Sequence, residues 1–325
     1  IRKRTMKNKR RWLILEAVLA VLVILVAFAM LREKSGKEQD KISVIVENSD
    51  DYQWSAFKYG LEMAARDEGV EAFVVNVSGA LTVKEQEALI RQEIENGAEG
   101  IILQPLPGEE SRKMIKKWQK KLPLLCVEGT EEAKEKLSAV QPDHYGMGRT
   151  LGEEILKDYN GSLENKTLGF FARRRDSAVT RERIEGFRDA VKDSGAQIRW
   201  FLTASEEKNV DKALELKSQV DMVICLDDYS FTKAGEVASV KNLHGALIYG
   251  IGHSTETMYY VDTGLAEGAV VPDEFQVGYQ SLCEISRKMQ NSYYPMKNHQ
   301  VSHTVIRREN LFSKENQELL FTMSQ

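Results

Sequence analysis

The chain has 325 residues, of which 42% are hydrophobic and 29% charged, so it is long enough to bury a sizeable core. Its net charge of −4 argues against a general nucleic-acid binder, and its three scattered cysteines exclude a disulfide framework and a cysteine-based zinc site. The basic charge is local, because residues 1–11 carry seven Lys and Arg and no acid, which leaves the remainder at −11.

Residues 12–31 form an apolar run in which Glu16 is the only charged residue. At about 1.5 Å per residue, a helix over this run spans roughly 30 Å, the thickness of a bilayer core. Because the basic segment precedes it, we predict a cytoplasmic segment at 1–11, a transmembrane anchor at 12–31, a tether at 32–40 and an extracytoplasmic body. A signal peptide cleaved after Ala27-Phe28-Ala29 is the alternative, but the length of the run favours an uncleaved anchor.

From residue 41 onward, short β-branched runs alternate with helical patterns. The first series predicts strands at 42–46, 72–77, 100–103 and 123–127, with helices at 52–68, 82–96 and 110–120. The second series predicts strands at 168–171, 198–202, 222–226 and 246–249, with helices at 177–194, 206–218 and 229–240. This alternation predicts an α/β fold with parallel sheets covered by helices on both faces, and two series predict two similar lobes.

The loops that follow the predicted strands are where an α/β fold binds its ligand. The first of them, Glu47 to Tyr52, contains no glycine and several acids, which argues against a dinucleotide or a phosphate-binding loop. No pair among the five histidines has the spacing of a helical metal site, and no G-x-S-x-G elbow occurs. We therefore expect neither a metal nor an organic cofactor, and we expect no catalytic residue.

Three motifs are similar to those of a known family: Trp54–Gly60 in the first helix, Gly100–Pro105 at the third strand, and Arg181–Phe187, which resembles an R-x-R-x-x-G-F helix start. On these motifs the chain resembles, over roughly residues 41–310, the periplasmic binding protein type I family. That family includes ribose- and galactose-binding proteins and the cores of lactose-repressor-like regulators. The resemblance implies two Rossmann-like lobes joined by a three-stranded hinge, with lobe 1 formed by 41–142 and 273–302 and lobe 2 by 143–271 and 303–325.

The resemblance also implies a set of ligand-binding residues: Asp51, Tyr52, Trp54, Gln104, Glu128, Arg181 and Asp227. This chain departs from the sugar binders at Gly129, where an arginine is common, and at Gly252-His253, where many members have an aspartate. These departures argue against a simple pentose or hexose, and the acidic surplus leaves open a ligand with an amine or a bound cation.

Each candidate also has a structural interpretation that stays open. Asp51 and Asp227 could cap helices, Trp54 could be a core residue, and Arg181 could belong to a solvated basic surface with Arg173–Arg175.

The predicted function is a membrane-anchored, extracytoplasmic solute-binding protein that delivers a small polar ligand, a carbohydrate in the first instance, to an ABC permease. One alternative is a ligand sensor coupled to a membrane histidine kinase. An alternative of another class is a membrane-tethered hydrolase or transferase that uses the acids of the cleft. A transcription repressor is disfavoured because the apolar run stands where a helix-turn-helix would precede the body.

Overall fold

The computed structural model describes residues 39–50, 54–128 and 137–321. The predicted cytoplasmic segment, the predicted anchor and most of the predicted tether lie outside the described residues, as do Asp51 and Tyr52. Within the described ranges, no helix combines the length and the apolar character needed to cross a membrane.

The first sheet has six strands: β1 (Lys41–Ile45), β2 (Glu71–Val74), β3 (Gly100–Leu103), β4 (Leu124–Val127), β5 (Ala139–Pro142) and β11 (His299–Val301). The strands follow the order β11-β5-β4-β3-β1-β2, and every neighbouring pair is parallel. Four helices cover this sheet: α1 (Ser55–Glu68), α2 (Val83–Glu95), α3 (Glu109–Gln119) and α9 (Glu274–Gln290).

Alternate residues of these strands pack against helices on opposite faces of the first sheet. In β1, Ile42 and Val44 pack with α1 and α9, whereas Ile45 packs with α2 and α3 on the other face. In β3, Ile102 and Ile101 divide between the two faces in the same way. Burial on both faces explains why the apolar residues of these strands do not alternate with exposed polar ones, and the Ser43 within β1 is itself buried.

The second sheet has six strands: β6 (Thr167–Ala172), β7 (Gln197–Thr203), β8 (Met222–Cys225), β9 (Leu247–Ile251), β10 (Gly268–Pro272) and β12 (His303–Ile306). They follow the order β12-β10-β9-β8-β6-β7, and only the β10–β12 pair is antiparallel among these described strands. One face packs against α4 (His144–Asp158) and α5 (Ala178–Val191). The other face packs against α6 (Val210–Glu215), α7 (Asp228–Lys241), α8 (Thr255–Asp262) and α10 (Lys314–Phe321).

The helix predicted at 206–218 is shorter than expected. The structure has a 3₁₀ turn at Ala204–Glu206 and then α6, which begins after Asn209. The side chain of Asn209 accepts a hydrogen bond from the backbone N–H of Lys212 at 2.9 Å, so a capping residue starts the helix late.

The chain passes from one sheet to the other at three places. At the first crossing, β5 ends at Pro142 in the first sheet and the next helix, α4, packs on the second sheet. At the second crossing, β10 ends at Pro272 in the second sheet and the next helix, α9, packs on the first sheet. Ser302 alone separates β11 from β12. The two helix-covered, largely parallel sheets confirm the predicted two-lobe α/β fold, while the lobe boundaries themselves stay a prediction.

Two helix pairs cross so closely that only glycine fits at the contact. A Cβ added to Gly60 of α1 would lie 2.1 Å from the carbonyl oxygen of Phe275 in α9. A Cβ added to Gly148 of α4 would lie 2.0 Å from the carbonyl oxygen of Arg183 in α5, and one on Gly186 would lie 2.0 Å from that of Tyr145. The glycine of the Arg181–Phe187 motif therefore sets the spacing of α4 and α5, and with it the position of Arg183.

Candidate ligand-binding cavity

A cavity of about 240 Å³ lies at the carboxyl ends of the strands, where loops of the two sheets face each other. The first sheet contributes Glu47, Asn48, Gln104, Pro105 and Glu128, and the second contributes Arg173, Arg174, Arg183, Asp227, Asp228 and His253. Glu274, at the start of α9, also lines it. The volume is small for a ligand pocket, and the wall combines apolar side chains with several charged and amide groups, so the cavity suits one small polar molecule.

Gln104 joins three strand ends on the first-sheet wall. Its Oε1 accepts a hydrogen bond from the backbone N–H of Glu47 at 2.9 Å, and its Nε2 donates to Oε2 of Glu128 at 3.3 Å. The side chain of Gln86 in α2 donates to the main-chain carbonyl oxygen of Gln104 at 2.9 Å. The side-chain amide of Gln104 is therefore fixed in orientation before any ligand arrives.

Two wall residues adopt the left-handed backbone conformation that favours glycine. Glu128 follows β4 with φ of 55°, and Asn48 lies three residues after β1 with φ of 48°. A non-glycine residue in this region costs about 1 kcal/mol or more, and such residues cluster at functional sites. Burial raises the pKa of Glu128, while the charges of Arg183 and His253 and the Gln104 hydrogen bond oppose that rise.

Arg183 is the most deeply placed cation of the wall. Its side chain is buried, one terminal nitrogen donates to the carbonyl oxygen of Leu226 at 2.7 Å, and the other lies 3.3 Å from Nδ1 of His144. Its Nε has no partner among the described residues. Burial lowers the pKa of Arg183, and the charges of Glu128, Asp227 and Glu274 oppose this effect. A guanidinium stays charged under such conditions, so the cavity holds a permanent cation with a free donor.

Asp227 and Asp228 hold the second-sheet wall together. The carboxylate of Asp227 accepts backbone hydrogen bonds from Arg173 at 2.7 Å and from Ser230 at 2.8 Å, and the latter bond caps the start of α7. Burial raises the pKa of Asp227 despite these bonds. Oδ1 of Asp228 accepts the backbone N–H of His253 at 2.7 Å and so fixes the loop after β9.

Glu274 is a buried acid that the sequence analysis did not single out. It is 4% exposed, and its Oε2 has no hydrogen-bond partner among the described residues. Burial, and secondarily the charge of Glu128, raises the pKa of Glu274 from 4.5 to about 7. From sequence, a glutamate directly after the capping residue Asp273 is typical of a helix first turn, so its residue type gives no signal of a site.

The structure brings together three of the predicted site residues, Gln104, Glu128 and Asp227, in the cavity wall. Trp54 instead lies in the core of the first sheet at 3% exposure, edge-on to Phe57, and its Nε1 donates to the carbonyl oxygen of Glu47 at 3.0 Å. Its role there is to position a wall residue, because its ring has no surface on the cavity.

Arg181 is also placed outside the cavity wall. It is exposed on α5, and one terminal nitrogen donates to the carbonyl oxygen of Asp176 at 2.8 Å. The second arginine of the motif, Arg183, lines the cavity instead. Arg183 stands three and four residues before the buried Gly186 and Phe187, so helix geometry puts it on the inward face and Arg181 on another. That spacing could have identified Arg183 from the sequence.

Asp51 and Tyr52 lie outside the described residues, so the structure does not place them. Across the parts of the chain that the structure describes, no group of three His, Cys, Asp or Glu side chains could hold a metal ion.

Comparison with known proteins agrees with this architecture. The family model of the periplasmic binding protein domain matches residues 42–289. A glucose-galactose binding protein from Geobacillus stearothermophilus has a similar structure, with a TM-score of 0.74 at 20% identity, over 85% of this chain and 100% of that one. A carbohydrate transporter solute-binding protein from Agrobacterium radiobacter, in complex with D-arabinose, has a TM-score of 0.76 at 16% identity, over 88% and 100% of the two chains.

A third similar structure, the XylFII–LytSN complex, has a TM-score of 0.71 at 18% identity, over 83% of this chain and 98% of that one. Comparison with curated proteins finds no sequence match. The family match covers well over half of the chain. It agrees with the prediction of a binding protein rather than an enzyme. The chain belongs to the periplasmic binding protein domain family.

Proposed function

We propose that this protein binds a carbohydrate of monosaccharide size in the cavity between its two sheets. The observation that carries the proposal is the wall itself, in which the guanidinium of Arg183, the amide of Gln104 and the carboxylate of Glu128 meet in one small space. Fixed planar donors and acceptors of this kind suit the several hydroxyls of a sugar. Tyr229 adds an aromatic ring to the same wall.

Ligand capture would involve closure of the two sheets about the three crossings. The cavity takes wall residues from both sheets, so a bound ligand would make contacts on both sides at once. Hinge closure around a ligand is a common response of two-lobe proteins. Pro142 and Pro272 stand at two of the crossings, where a fixed φ stiffens the connection.

The second part of the proposal concerns location and partner. The basic residues at 1–11, followed by the apolar run at 12–31, support a single-pass anchor with the body outside the cytoplasm. The partner that we propose is an ABC permease that receives the ligand. The likeness to the XylFII–LytSN complex supports a second candidate, a sensor that passes ligand-induced closure to a membrane histidine kinase.

A ligand screen tests the proposed binding activity. The full chain in mild detergent is heated with a panel of aldoses, ketoses, amino sugars, amino acids and polyamines, and sugars of one class should raise its melting temperature because a ligand that binds only the folded state stabilises it. A shift with amino acids alone would contradict carbohydrate binding. Cross-linking in native membranes then separates the partners, since capture of permease subunits supports uptake and capture of a histidine kinase supports sensing.

A further inference from the structure

We propose that the ligand carries a protonated amine, which binds between the carboxylates of Glu128 and Glu274. This inference deepens the proposed function and rests on it, because it names an amino sugar as the class of carbohydrate. It assigns to Glu274 a specificity-determining role in the cavity.

The first argument is the state of Glu274 without a ligand. The side chain lines the cavity at 4% exposure, and its Oε2 meets no donor among the described residues. A carboxylate that loses water without gaining a donor is destabilised, so such a group in a cavity wall indicates a missing partner. The partner must reach it from the cavity.

The second argument is that the other described acids of the wall each accept a hydrogen bond within the protein, including Glu47, which accepts the backbone N–H of Leu81 at 2.8 Å. Asp227 and Asp228 accept backbone N–H groups that hold the second-sheet loops together. Glu128 has a single described hydrogen bond, a long one of 3.3 Å from Gln104. Among the described wall acids, Glu274 is the one with a buried carboxylate oxygen that has no hydrogen-bond partner, and Glu128 is the wall acid whose charge acts on it.

The third argument is that, among the described residues, no cation forms an ion pair with Glu128 or Glu274, although two cations act on both at longer range. The groups that act on Glu274 are Glu128, Asp273, Arg183 and His253. Arg183 directs its terminal nitrogens to Leu226 and His144, and among the described residues it forms no ion pair with either glutamate. Burial and then the charge of Glu128 raise the pKa of Glu274, although the charges of His253 and Arg183 oppose that rise.

A sugar hydroxyl could satisfy the lone pairs of these acids but would leave their like charges uncompensated. An ammonium group has three N–H donors, no acceptor and a positive charge, so it matches two adjacent carboxylates in both hydrogen bonding and charge. In an enclosed cavity, salt screens the attraction between the ammonium group and the carboxylates far less than it does at the surface. Binding would therefore release the proton that Glu274 holds in the empty cavity and place the ligand's ammonium group against its carboxylate.

The test uses matched probes that differ only at one nitrogen. Calorimetric titrations of the full chain at neutral pH compare D-glucose, D-glucosamine and N-acetyl-D-glucosamine, and the same three forms of galactose and mannose. We expect the amine to bind about tenfold tighter or more than the neutral and acetylated forms of its series. Its affinity should rise between about pH 5.5 and 6.5, where Glu274 ionises while the amine stays protonated, whereas that of a neutral sugar should not.

Glu274→Gln keeps the size of the side chain and removes its charge, so it should reduce the preference for the amine to near parity. Glu309→Gln, which removes an exposed charge outside the cavity wall, is the matched control and should change nothing. The melting temperature of each variant without ligand verifies that it is folded.

The outcomes separate this inference from the proposed function. A neutral sugar that binds tightest, with an affinity unaffected by Glu274→Gln, overturns the inference and leaves carbohydrate binding intact. If putrescine binds in a Glu274-dependent manner and no sugar does, the cation subsite stands and the carbohydrate proposal fails. If none of these probes binds, both fail.

Discussion

Replacing Glu274 by glutamine should change how the stability of the empty protein depends on pH. Burial and the charge of Glu128 raise the pKa of Glu274 from 4.5 to about 7 in the folded state. The folded protein therefore holds this proton more tightly than the unfolded chain does. The free energy of unfolding consequently falls as the pH rises through this interval, and the loss is complete above the folded-state pKa.

The size of the effect follows from the shift in pKa. Each unit corresponds to about 1.4 kcal/mol, so the shift from 4.5 to about 7 costs the folded wild type about 3 kcal/mol at alkaline pH. Glutamine carries no proton to lose, and Glu274→Gln should match the wild type near pH 4, below the unfolded-state pKa, and exceed its stability near pH 8. For a chain of this size we expect a difference in melting temperature of roughly 5–10 °C near pH 8.

Thermal unfolding of the full chain without ligand, followed by intrinsic fluorescence at intervals between about pH 4 and pH 8, measures this difference. Asp227 and His144 are present in both proteins, so the difference between the two curves reports Glu274 together with its electrostatic coupling to Glu128. Glu309→Gln should follow the wild type throughout. Parallel curves for the wild type and Glu274→Gln would refute the reasoning, because Glu274 would then ionise as freely in the folded protein as in water.

Four further predictions concern the wall, its supports and the topology. Arg183→Ala should weaken ligand binding about 30-fold or more by calorimetry, because it removes a buried charged donor, whereas Arg181→Ala should leave affinity within about threefold; equal losses would contradict the placement of these residues. Gly148→Ala should lower the free energy of unfolding by roughly 1–3 kcal/mol and also weaken binding, since its Cβ would meet the backbone of Arg183; wild-type affinity would show that the two helices can separate without moving the site. Trp54→Ala should destabilise the protein by about 3–5 kcal/mol in denaturant unfolding, as expected of a core aromatic, and a change below about 1 kcal/mol would contradict its burial. Protease added to intact cells should remove the extracytoplasmic body, and a body that survives until the cells are lysed would reverse the proposed topology.

Much of the fold could be predicted because burial on both faces leaves a clear pattern. The runs that form β3 and β4 are continuously apolar, the run that forms β1 is interrupted after Lys41 only by the buried Ser43, and helical patterns separate these runs, which predicts parallel strands without reference to long-range contacts. The residues directly after those strands, such as Gln104 and Glu128, could be assigned to one edge for the same reason. The helix predicted at 206–218 was wrong in extent because Asn209 caps a shorter one.

The other residues of the site could not be predicted from residue type alone, because their positions depend on helix faces and on packing. Arg181 and Arg183 have the same chemistry, and the position of the helix face decides which one reaches the cavity. Trp54 lies on the apolar face of its helix, and packing against Phe57 rather than ligand contact determines its place. Glu274 comes to the wall only because α9 returns to the first sheet after a crossing far along the chain.

A crystal structure of the full chain with the tightest-binding sugar of the screen tests the central claim most directly. The sugar should occupy the cavity between the two sheets. Its oxygen or nitrogen atoms should lie within hydrogen-bond distance of Arg183 from one sheet and of Glu128 from the other. A sugar bound elsewhere on the protein, with this cavity free of it, would contradict the account.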